Sequence, residues 1–150
     1  SEACNLLLDD LLEREDAVYV RGGKSRYARR KVPLVAPCPQ ALTAYVTRGR
    51  PTFLQGYSDY VFLSVVGLPF TRDSLRQMLR RRGLQVGFPL GAHRFRHTWA
   101  TAHVRARTNA AAIGQMAGWS PKTLYEMMAA YAHPDLELLR DAQEAAFRGG

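Results

Sequence analysis

A histidine and an arginine three residues apart, His93 and Arg96, are the side chains best spaced to do chemistry together. At the start of a helix this spacing puts both on one face. Arginine donates paired hydrogen bonds to phosphate oxygens, and a neighbouring histidine adds another hydrogen bond or a proton. The pair therefore suits a phosphate group. These two residues alone leave a structural role open, with the histidine capping a helix and the arginine in an ion pair.

A metal site is the competing interpretation, because His93 and His97 stand at the i, i+4 spacing. The segment lacks the glutamate of the zinc-protease motif and carries Arg94 and Arg96 instead. Two guanidinium groups beside a divalent cation are electrostatically unfavourable. The chain's two cysteines make neither a disulfide framework nor a zinc site. The sequence therefore predicts no metal site and no thiol chemistry.

Further candidate residues each have a simpler interpretation as well. Trp119 carries an indole N–H that donates one hydrogen bond, but a tryptophan after a helix end is commonly a core residue. Tyr131 is a possible nucleophile, yet it follows Leu124 by seven residues and belongs to that helix's apolar face. Tyr125 lies roughly on the opposite face. Lys24 stands at the tip of a basic loop, where a solvated lysine is equally ordinary.

The composition indicates one basic globular domain. The chain has 150 residues, 47% of them hydrophobic, and 21 Lys+Arg against 13 Asp+Glu give a net charge of +8. A surface of this sign attracts polyanions, of which nucleic acid is the commonest. No apolar run is long enough to span a bilayer, and the acidic start does not resemble a signal peptide. We expect no membrane association and a location in the reducing cytoplasm.

The N-terminal part predicts a β-hairpin with a basic loop. Residues 17–21 are rich in β-branched and aromatic types and predict a strand, and residues 31–35 predict a second. The paired glycines after the first strand indicate a turn. The loop at residues 22–30 carries no acidic residue, so the hairpin presents positive charge at its tip.

The remainder predicts helices. Apolar spacing indicates helices at residues 40–48, 72–82 and 93–105, the second capped by Thr71 and stopped by Gly83, the third burying Phe95, Trp99 and Ala102. Asn109 and Ser120-Pro121 begin two more helices, which end near residues 116 and 131. A final helix is expected at 134–147. The predicted fold class is α+β: mainly helical, with a small antiparallel β-sheet near the N-terminus.

The order of these residues resembles the catalytic domain of the tyrosine recombinase (phage integrase) family. In that family a His-x-x-Arg pair opens a helix and continues with Thr-aromatic-Ala-Thr, as at residues 93–101. A Gly-Trp or Gly-His dipeptide follows, as at 118–119, and then a tyrosine with x-His, as at 131–133. The stretches AVYVRGGK and KVPL resemble the family's hairpin with its catalytic lysine. The resemblance covers essentially the whole chain.

The resemblance implies a role for each candidate residue. Tyr131 would attack a DNA phosphodiester and form a 3′-phosphotyrosyl bond. Arg96 and His93 would hold the scissile phosphate, Trp119 would donate to a non-bridging oxygen, and Lys24 would protonate the leaving 5′-oxygen. These cations and donors stabilise the transition state without a metal. The covalent bond conserves its energy for rejoining, so no cofactor is expected.

Double-stranded DNA is the partner that the resemblance implies. The exposed cations expected to contact it are Arg21, Arg26, Arg29, Arg30, Arg72, Arg76 and Arg94. The final helix at 134–147 would dock into a neighbouring subunit and build a homo-oligomer, a tetramer on DNA. Packing of that helix within its own chain is the alternative.

One departure from the family pattern lies at the start of the chain. Ser1 and Glu2 resemble the end of a Gly-Leu-Arg-x-Ser-Glu motif, which places the first catalytic arginine about two residues before Ser1. On this interpretation residues 1–150 are a single catalytic domain without its first helix and without the family's N-terminal DNA-clamping domain. Cleavage by a chain that lacks this arginine should be severely weakened.

Two further departures concern spacing. Trp119 precedes Tyr131 by twelve residues, where about nine is usual, so Tyr125 stays an alternative nucleophile. The hairpin is about two residues longer than usual, which favours Lys24 over Lys31 as the acid only slightly.

The sequence therefore predicts site-specific DNA recombination or integration by strand cleavage and rejoining. Two alternatives remain: a catalytically impaired DNA-binding fragment of an integrase, and an unrelated basic helical DNA-binding regulator.

Overall fold

Three short antiparallel strands form a sheet in the order β1-β2-β3. They are β1 (Leu11–Leu12), β2 (Ala17–Val20) and β3 (Arg30–Pro33). β2 and β3 pair in register from Ala17 opposite Pro33 to Val20 opposite Arg30, which confirms the predicted hairpin. The two-residue strand β1 was not predicted, because two residues are too few to show an alternating pattern. The computed structural model describes residues 2–22 and 26–131, together with residues 139, 140, 143, 144 and 146.

The first helix and the extended segment after it pack through two polar side chains. α1 (Cys38–Ala44) begins two residues before the predicted start and continues as a wider helical turn through residue 49. The Tyr45 hydroxyl accepts a hydrogen bond from the Leu63 N–H at 3.1 Å. Arg50 is buried and donates to the carbonyls of Ser58 and Tyr60, at 3.0 Å for Tyr60. Arg50 lies in a short helical turn at residues 50–52.

The second helix, α2 (Arg72–Val86), begins as predicted and ends later. The Thr71 hydroxyl accepts from the Ser74 N–H at 3.1 Å, which is the expected N-cap. The prediction that Gly83 stops the helix is wrong, because Gly83 is buried inside it. A Cβ there would lie 2.8 Å from the Phe88 carbonyl oxygen, so glycine allows the returning chain to pack closely. Gly87, with φ of +77°, ends the helix.

The third helix, α3 (Ala92–Arg105), buries a different face from the one predicted. Ala100 is fully buried and Trp99 is half-buried, whereas Phe95 and Ala102 are exposed. At 3.6 residues per turn, Phe95 and Ala102 lie almost opposite Ala100 around the helix. The prediction that Phe95 and Ala102 are buried is therefore wrong, although the bounds of the helix are confirmed within one residue.

The last two described helices are α4 (Ala110–Ala117) and α5 (Pro121–Tyr131). Their predicted caps are confirmed: the Asn109 side chain accepts from two backbone N–H groups at 2.8 and 3.3 Å, and Ser120 Oγ accepts from the Thr123 N–H at 3.2 Å. Gly118, with φ of +69°, ends α4. The predicted final helix at 134–147 lies mostly outside the described residues. Within the described ranges, no helix combines the length and the apolar character needed to cross a membrane.

Candidate active site

Arg96 and Trp119 meet in space although they belong to different parts of the chain. Arg96 lies on the second turn of α3, and its guanidinium carbon is 5.9 Å from the centre of the Trp119 ring. Arg96 Nη1 also donates to the Ala117 carbonyl at 3.2 Å. The Arg96 side chain is 41% exposed. One guanidinium is thus held by the end of α4 while part of it faces solvent, where an anion can reach it.

The turn between α4 and α5 fixes the position of Trp119. Gly118 adopts a left-handed conformation, and the backbone N–H of Trp119 donates to the Gly114 carbonyl at 3.0 Å. The Trp119 ring meets Trp99 edge to face, with 6.5 Å between ring centres. Trp119 is only half-buried: it packs against Trp99, and its ring lies near Arg96.

Trp99, on α3, packs against Trp119 and is itself held by neighbouring side chains. The Trp99 ring lies 4.5 Å from the His103 ring, centre to centre, and His103 Nδ1 is 3.0 Å from Thr108 Oγ1. These contacts hold Trp99 in its edge-to-face contact with Trp119. The orientation of Trp119 therefore depends on packing as well as on its own turn.

Glu2 joins the cluster, and its partners were not predicted from the spacing of residues in the sequence. Glu2 Oε2 lies 3.6 Å from Arg96 Nη2, and both Glu2 oxygens accept from Arg30, at 2.9 and 3.0 Å. The hydrogen bonds from Arg30 chiefly hold the pKa of Glu2 below its usual value. Partial burial opposes this shift, and the charges of Arg30 and Arg96 add to it. Glu2 is therefore an anion at neutral pH.

Arg30 faces the interior, in contrast to the exposed DNA contact that the sequence predicts. Its side chain is 5% exposed, and besides Glu2 it donates to the Met116 carbonyl and the Ala28 carbonyl, each at 2.8 Å. The sequence predicts a basic loop with exposed cations over the whole stretch 22–30. Arg30 is instead the first residue of β3, and its side chain lies on the buried face of that strand.

Five of the other cations predicted to contact DNA lie at least partly at the surface, and some of them also contact groups of this chain. Arg21 Nε lies 2.6 Å from a carboxylate oxygen of the buried Asp10, while about half of the Arg21 side chain stays exposed. Arg94 donates to the Pro89 carbonyl at 3.0 Å. Arg29, Arg72, Arg76 and Arg94 are exposed, and Arg76 pairs with Asp73 at 3.1 Å. Four cations are thus displayed at the surface, and Arg21 is displayed in part.

The structure locates the remaining candidates to different degrees. His93 is exposed one turn before Arg96 on α3. Tyr131 is the last residue of α5, and the placement of its side chain lies outside the described part, as do Lys24 and the Arg26 side chain. Tyr125 is 77% exposed. Lys31, the alternative to Lys24, lies 2.8 Å from Glu15 in an exposed ion pair.

The contact between Arg96 and Trp119 brings together side chains of the kind that bind anions. Arg96 supplies a planar charged donor beside the Trp119 ring, and His93 stands one turn before Arg96 on the same helix. Guanidinium, indole and imidazole N–H groups are all donors that can stabilise phosphate oxygens. In the part of the chain that the structure describes, no three His, Cys, Asp or Glu side chains gather as a metal site would require. The contacts of Glu2 and Arg30 could not be read from spacing, because 28 residues separate them.

The fold and the sequence place the chain among known proteins. The architecture matches the crystal structure of XerA recombinase, with a TM-score of 0.73 and 25% identity over 97% of this chain and 50% of that one. It also matches the Tn1549 transposon integrase in complex with transposon right-end DNA, with a TM-score of 0.81 at 22% identity, covering 97% of this chain and 53% of that one. This second likeness shows the fold alone. The fold is that of tyrosine recombinase catalytic domains.

The phage integrase family model matches residues 1–137, so the chain belongs to that family. The chain is 29% identical to tyrosine recombinase XerD of Corynebacterium glutamicum over 150 residues, covering 97% of this chain and 47% of that protein. It is 30% identical to tyrosine recombinase XerA of Thermococcus kodakarensis, covering 97% and 50%. The chain therefore spans about half the length of these curated relatives.

Proposed function

We propose that this chain is a catalytic domain that cuts and rejoins DNA through a 3′-phosphotyrosyl intermediate, as in site-specific recombination or integration. The observation that carries the proposal is the meeting of Arg96 and Trp119, 5.9 Å apart, at a half-exposed position. The sequence resemblance selects the same two residues as phosphate ligands, independently of their contact in space. Membership of the phage integrase family over residues 1–137 supports the reaction class.

In the proposed reaction the Tyr131 phenol oxygen forms a bond to the scissile phosphorus and gives its proton to solvent. The bond from phosphorus to the 5′-oxygen breaks, and the Lys24 ammonium gives that oxygen a proton. Arg96 and His93 bind the phosphate oxygens, and Trp119 donates to one of them. Rejoining reverses these steps, with a 5′-hydroxyl attacking the phosphotyrosine. No bond energy is lost, so the cycle needs no nucleotide cofactor.

Local electrostatics favour this chemistry. A free tyrosine has a pKa of about 10, so its attack at neutral pH needs cations nearby. Arg30 neutralises Glu2 through two hydrogen bonds, and the cluster of Glu2, Arg30 and Arg96 keeps a net positive charge. A positive, partly desolvated site stabilises the charge that gathers on the phosphate oxygens in the transition state.

Glu2, near the start of the chain, belongs to the same site. Glu2 lies 3.6 Å from Arg96, and the family motif places its first arginine about two residues before Ser1. A residue at that position in a longer chain lies three residues before Glu2 and so within roughly 10 Å of it, given about 3.5 Å per extended residue. An arginine there would be able to reach the phosphate that Arg96 binds.

DNA is the substrate in this proposal, and exposed cations around the site would hold it. The residues proposed to contact the duplex are Arg21, Arg26, Arg29, Arg72, Arg76 and Arg94. The segment 134–147 is proposed to join subunits into a tetramer on DNA, and the protein is proposed to act in the cytoplasm.

Covalent trapping tests the proposal. A pool of duplexes with a randomised core and a nick near the cut site loses the 5′-hydroxyl fragment after cleavage, so the protein stays attached. The chain is tested as it stands and with Gly-Leu-Arg-Val joined before Ser1. An adduct that resists denaturant, and that Tyr131→Phe abolishes while Tyr125→Phe does not, supports the proposal. DNA binding without an adduct in either form would instead indicate a catalytically impaired DNA-binding fragment.

A further inference from the structure

Arg30 uses its guanidinium to connect three separate parts of the chain. It donates to both Glu2 oxygens near the N-terminus, to the Ala28 carbonyl before β3, and to the Met116 carbonyl in the last turn of α4. Only 5% of its side chain is exposed. A buried arginine with four hydrogen bonds is fixed in one orientation, so the groups it binds are fixed relative to one another.

Arg30 and Arg96 bind neighbouring groups at the same helix end. Arg30 donates to the Met116 carbonyl and Arg96 donates to the next one, that of Ala117. Carbonyls in the last turn of a helix lack partners within the helix and carry the negative end of its dipole, so they attract cations. Both arginines also contact Glu2, but Arg30 does so at 2.9 and 3.0 Å and Arg96 at 3.6 Å.

The turn that carries Trp119 packs directly on Arg30. A Cβ on Gly118 would come within 2.6 Å of Arg30 Nη1 and 2.8 Å of Arg30 Cζ. The backbone at Gly118 therefore lies directly against the Arg30 guanidinium, and Trp119 is the next residue. A displacement of Arg30 would remove the packing that holds this turn in place.

We propose that Arg30 is a positioning residue that keeps Arg96 and Trp119 ready for a phosphate. It binds both oxygens of Glu2, which stops that carboxylate from closing on Arg96, and it supports the turn at Gly118. This inference rests on the proposed DNA cleavage. Without Arg30, Glu2 would form a tighter pair with Arg96, and an incoming phosphate would have to displace it.

The test is a double-mutant cycle between Arg30 and Glu2. Arg30→Met removes the donors and keeps much of the volume, and Glu2→Gln removes the charge that Arg30 holds. Arg29→Met, at the exposed neighbouring position, is the matched control for the loss of one positive charge. Single-turnover cleavage at saturating DNA, DNA affinity and thermal unfolding are measured for each variant, in the chain form that gives the adduct.

We expect Arg30→Met to slow cleavage roughly tenfold to hundredfold, because small displacements of catalytic groups have effects of this order. Its DNA affinity should change by less than about threefold. In the Glu2→Gln background the same substitution should have a much smaller effect, since residues that act through each other are not additive. If Arg30→Met does not fold, Arg30→Lys takes its place, with a smaller loss that Glu2→Gln again relieves.

Three results would overturn the inference: cleavage at the wild-type rate in Arg30→Met, an equal loss with and without the Glu2 charge, or a loss confined to DNA affinity as in Arg29→Met. The last would make Arg30 a DNA contact after all. Absence of an adduct with the unsubstituted chain would be a failure of the proposed function itself, visible before any Arg30 variant is compared.

Discussion

The guanidinium of Arg96 lies beside the ring of Trp119, with 5.9 Å between the guanidinium carbon and the ring centre. The two residues come from α3 and from the turn after α4, 23 positions apart in the chain. A cation near an aromatic face is attracted by the ring's quadrupole, which orients both groups. The contact therefore couples the proposed phosphate-binding charge to the proposed indole donor.

Replacement of Trp119 by phenylalanine should separate the packing of its aromatic ring from the hydrogen bond that its indole N–H is proposed to donate. Trp119→Phe keeps an aromatic ring for Arg96 and Trp99 but removes the N–H donor, so cleavage should fall about 10²-fold while DNA affinity changes little. Trp119→His, which restores a donor, should recover part of the rate. Trp99→Phe is the control, because Trp99 packs behind the site. Single-turnover cleavage of nicked DNA measures the rates, and equal rates for Trp119→Phe and the unsubstituted chain would contradict the proposed role.

A pair of glycines tests the close packing of Arg30 under the α4–α5 turn. Gly118 and Gly87 both have positive φ, at +69° and +77°, but only Gly118 has an atom within 4 Å of an added Cβ. Gly87→Ala should reduce the free energy of unfolding by about 1 kcal/mol from backbone strain alone. Gly118→Ala should cost about 2–4 kcal/mol, because it also displaces Arg30. Urea unfolding gives both values, and equal losses would show that the contact with Arg30 contributes nothing.

The pH dependence of stability should depend on Glu2. Its pKa is lowered in the folded state, mainly by Arg30, so the stabilising contribution is complete above the unfolded-state pKa near 4.5 and disappears as the pH falls through the lower folded-state pKa. Near neutral pH, Glu2→Gln should reduce the free energy of unfolding by about 1 kcal/mol, a value discounted for the 39% exposure of the Glu2 side chain.

That difference between Glu2→Gln and the unsubstituted chain should shrink as the pH is lowered below about 4. Thermal unfolding of both proteins from pH 7 to pH 3 measures it. A difference that stays constant over this range would mean that the charge of Glu2 does not stabilise the fold.

The salt dependence of DNA affinity distinguishes cations that contact DNA from those that do not. Each phosphate contact releases counterions and adds about 0.9 to the slope of log affinity against log salt. Arg72→Gln should therefore reduce the magnitude of this slope by roughly one. Arg48→Gln, at an exposed position outside the proposed DNA contacts, should leave the slope unchanged. The same slope for both variants would remove Arg72 from the DNA surface.

Features set by neighbouring residues were predictable from the sequence. The caps Thr71, Asn109 and Ser120 act on N–H groups two or three positions away, so their residue types and spacing are sufficient to identify them. The same local logic misplaced the end of α2. Gly83 resembles a helix stop in sequence, but it serves the close approach of the chain at Phe88, which only the folded structure shows.

Only those residues of the candidate site that belong to the family's motifs were predictable from the sequence. The resemblance selected Arg96 and Trp119 without their contact being known. Arg30 looked like one more cation of a basic loop, because its partners Glu2 and Met116 lie 28 and 86 positions away. Burial and long-range ion pairing depend on how the elements pack, which neither composition nor periodicity encodes.

Identifying the residue that carries the DNA tests the proposed cleavage by Tyr131 most directly. After trapping on nicked duplex, tryptic digestion of the adduct releases residues 123–140 as one peptide containing both Tyr125 and Tyr131. Fragmentation by mass spectrometry then locates the phosphate-bearing residue. We expect a nucleotide linked through a 3′-phosphate to Tyr131. A link at Tyr125, or a denaturant-resistant adduct on a residue outside this peptide, would contradict it.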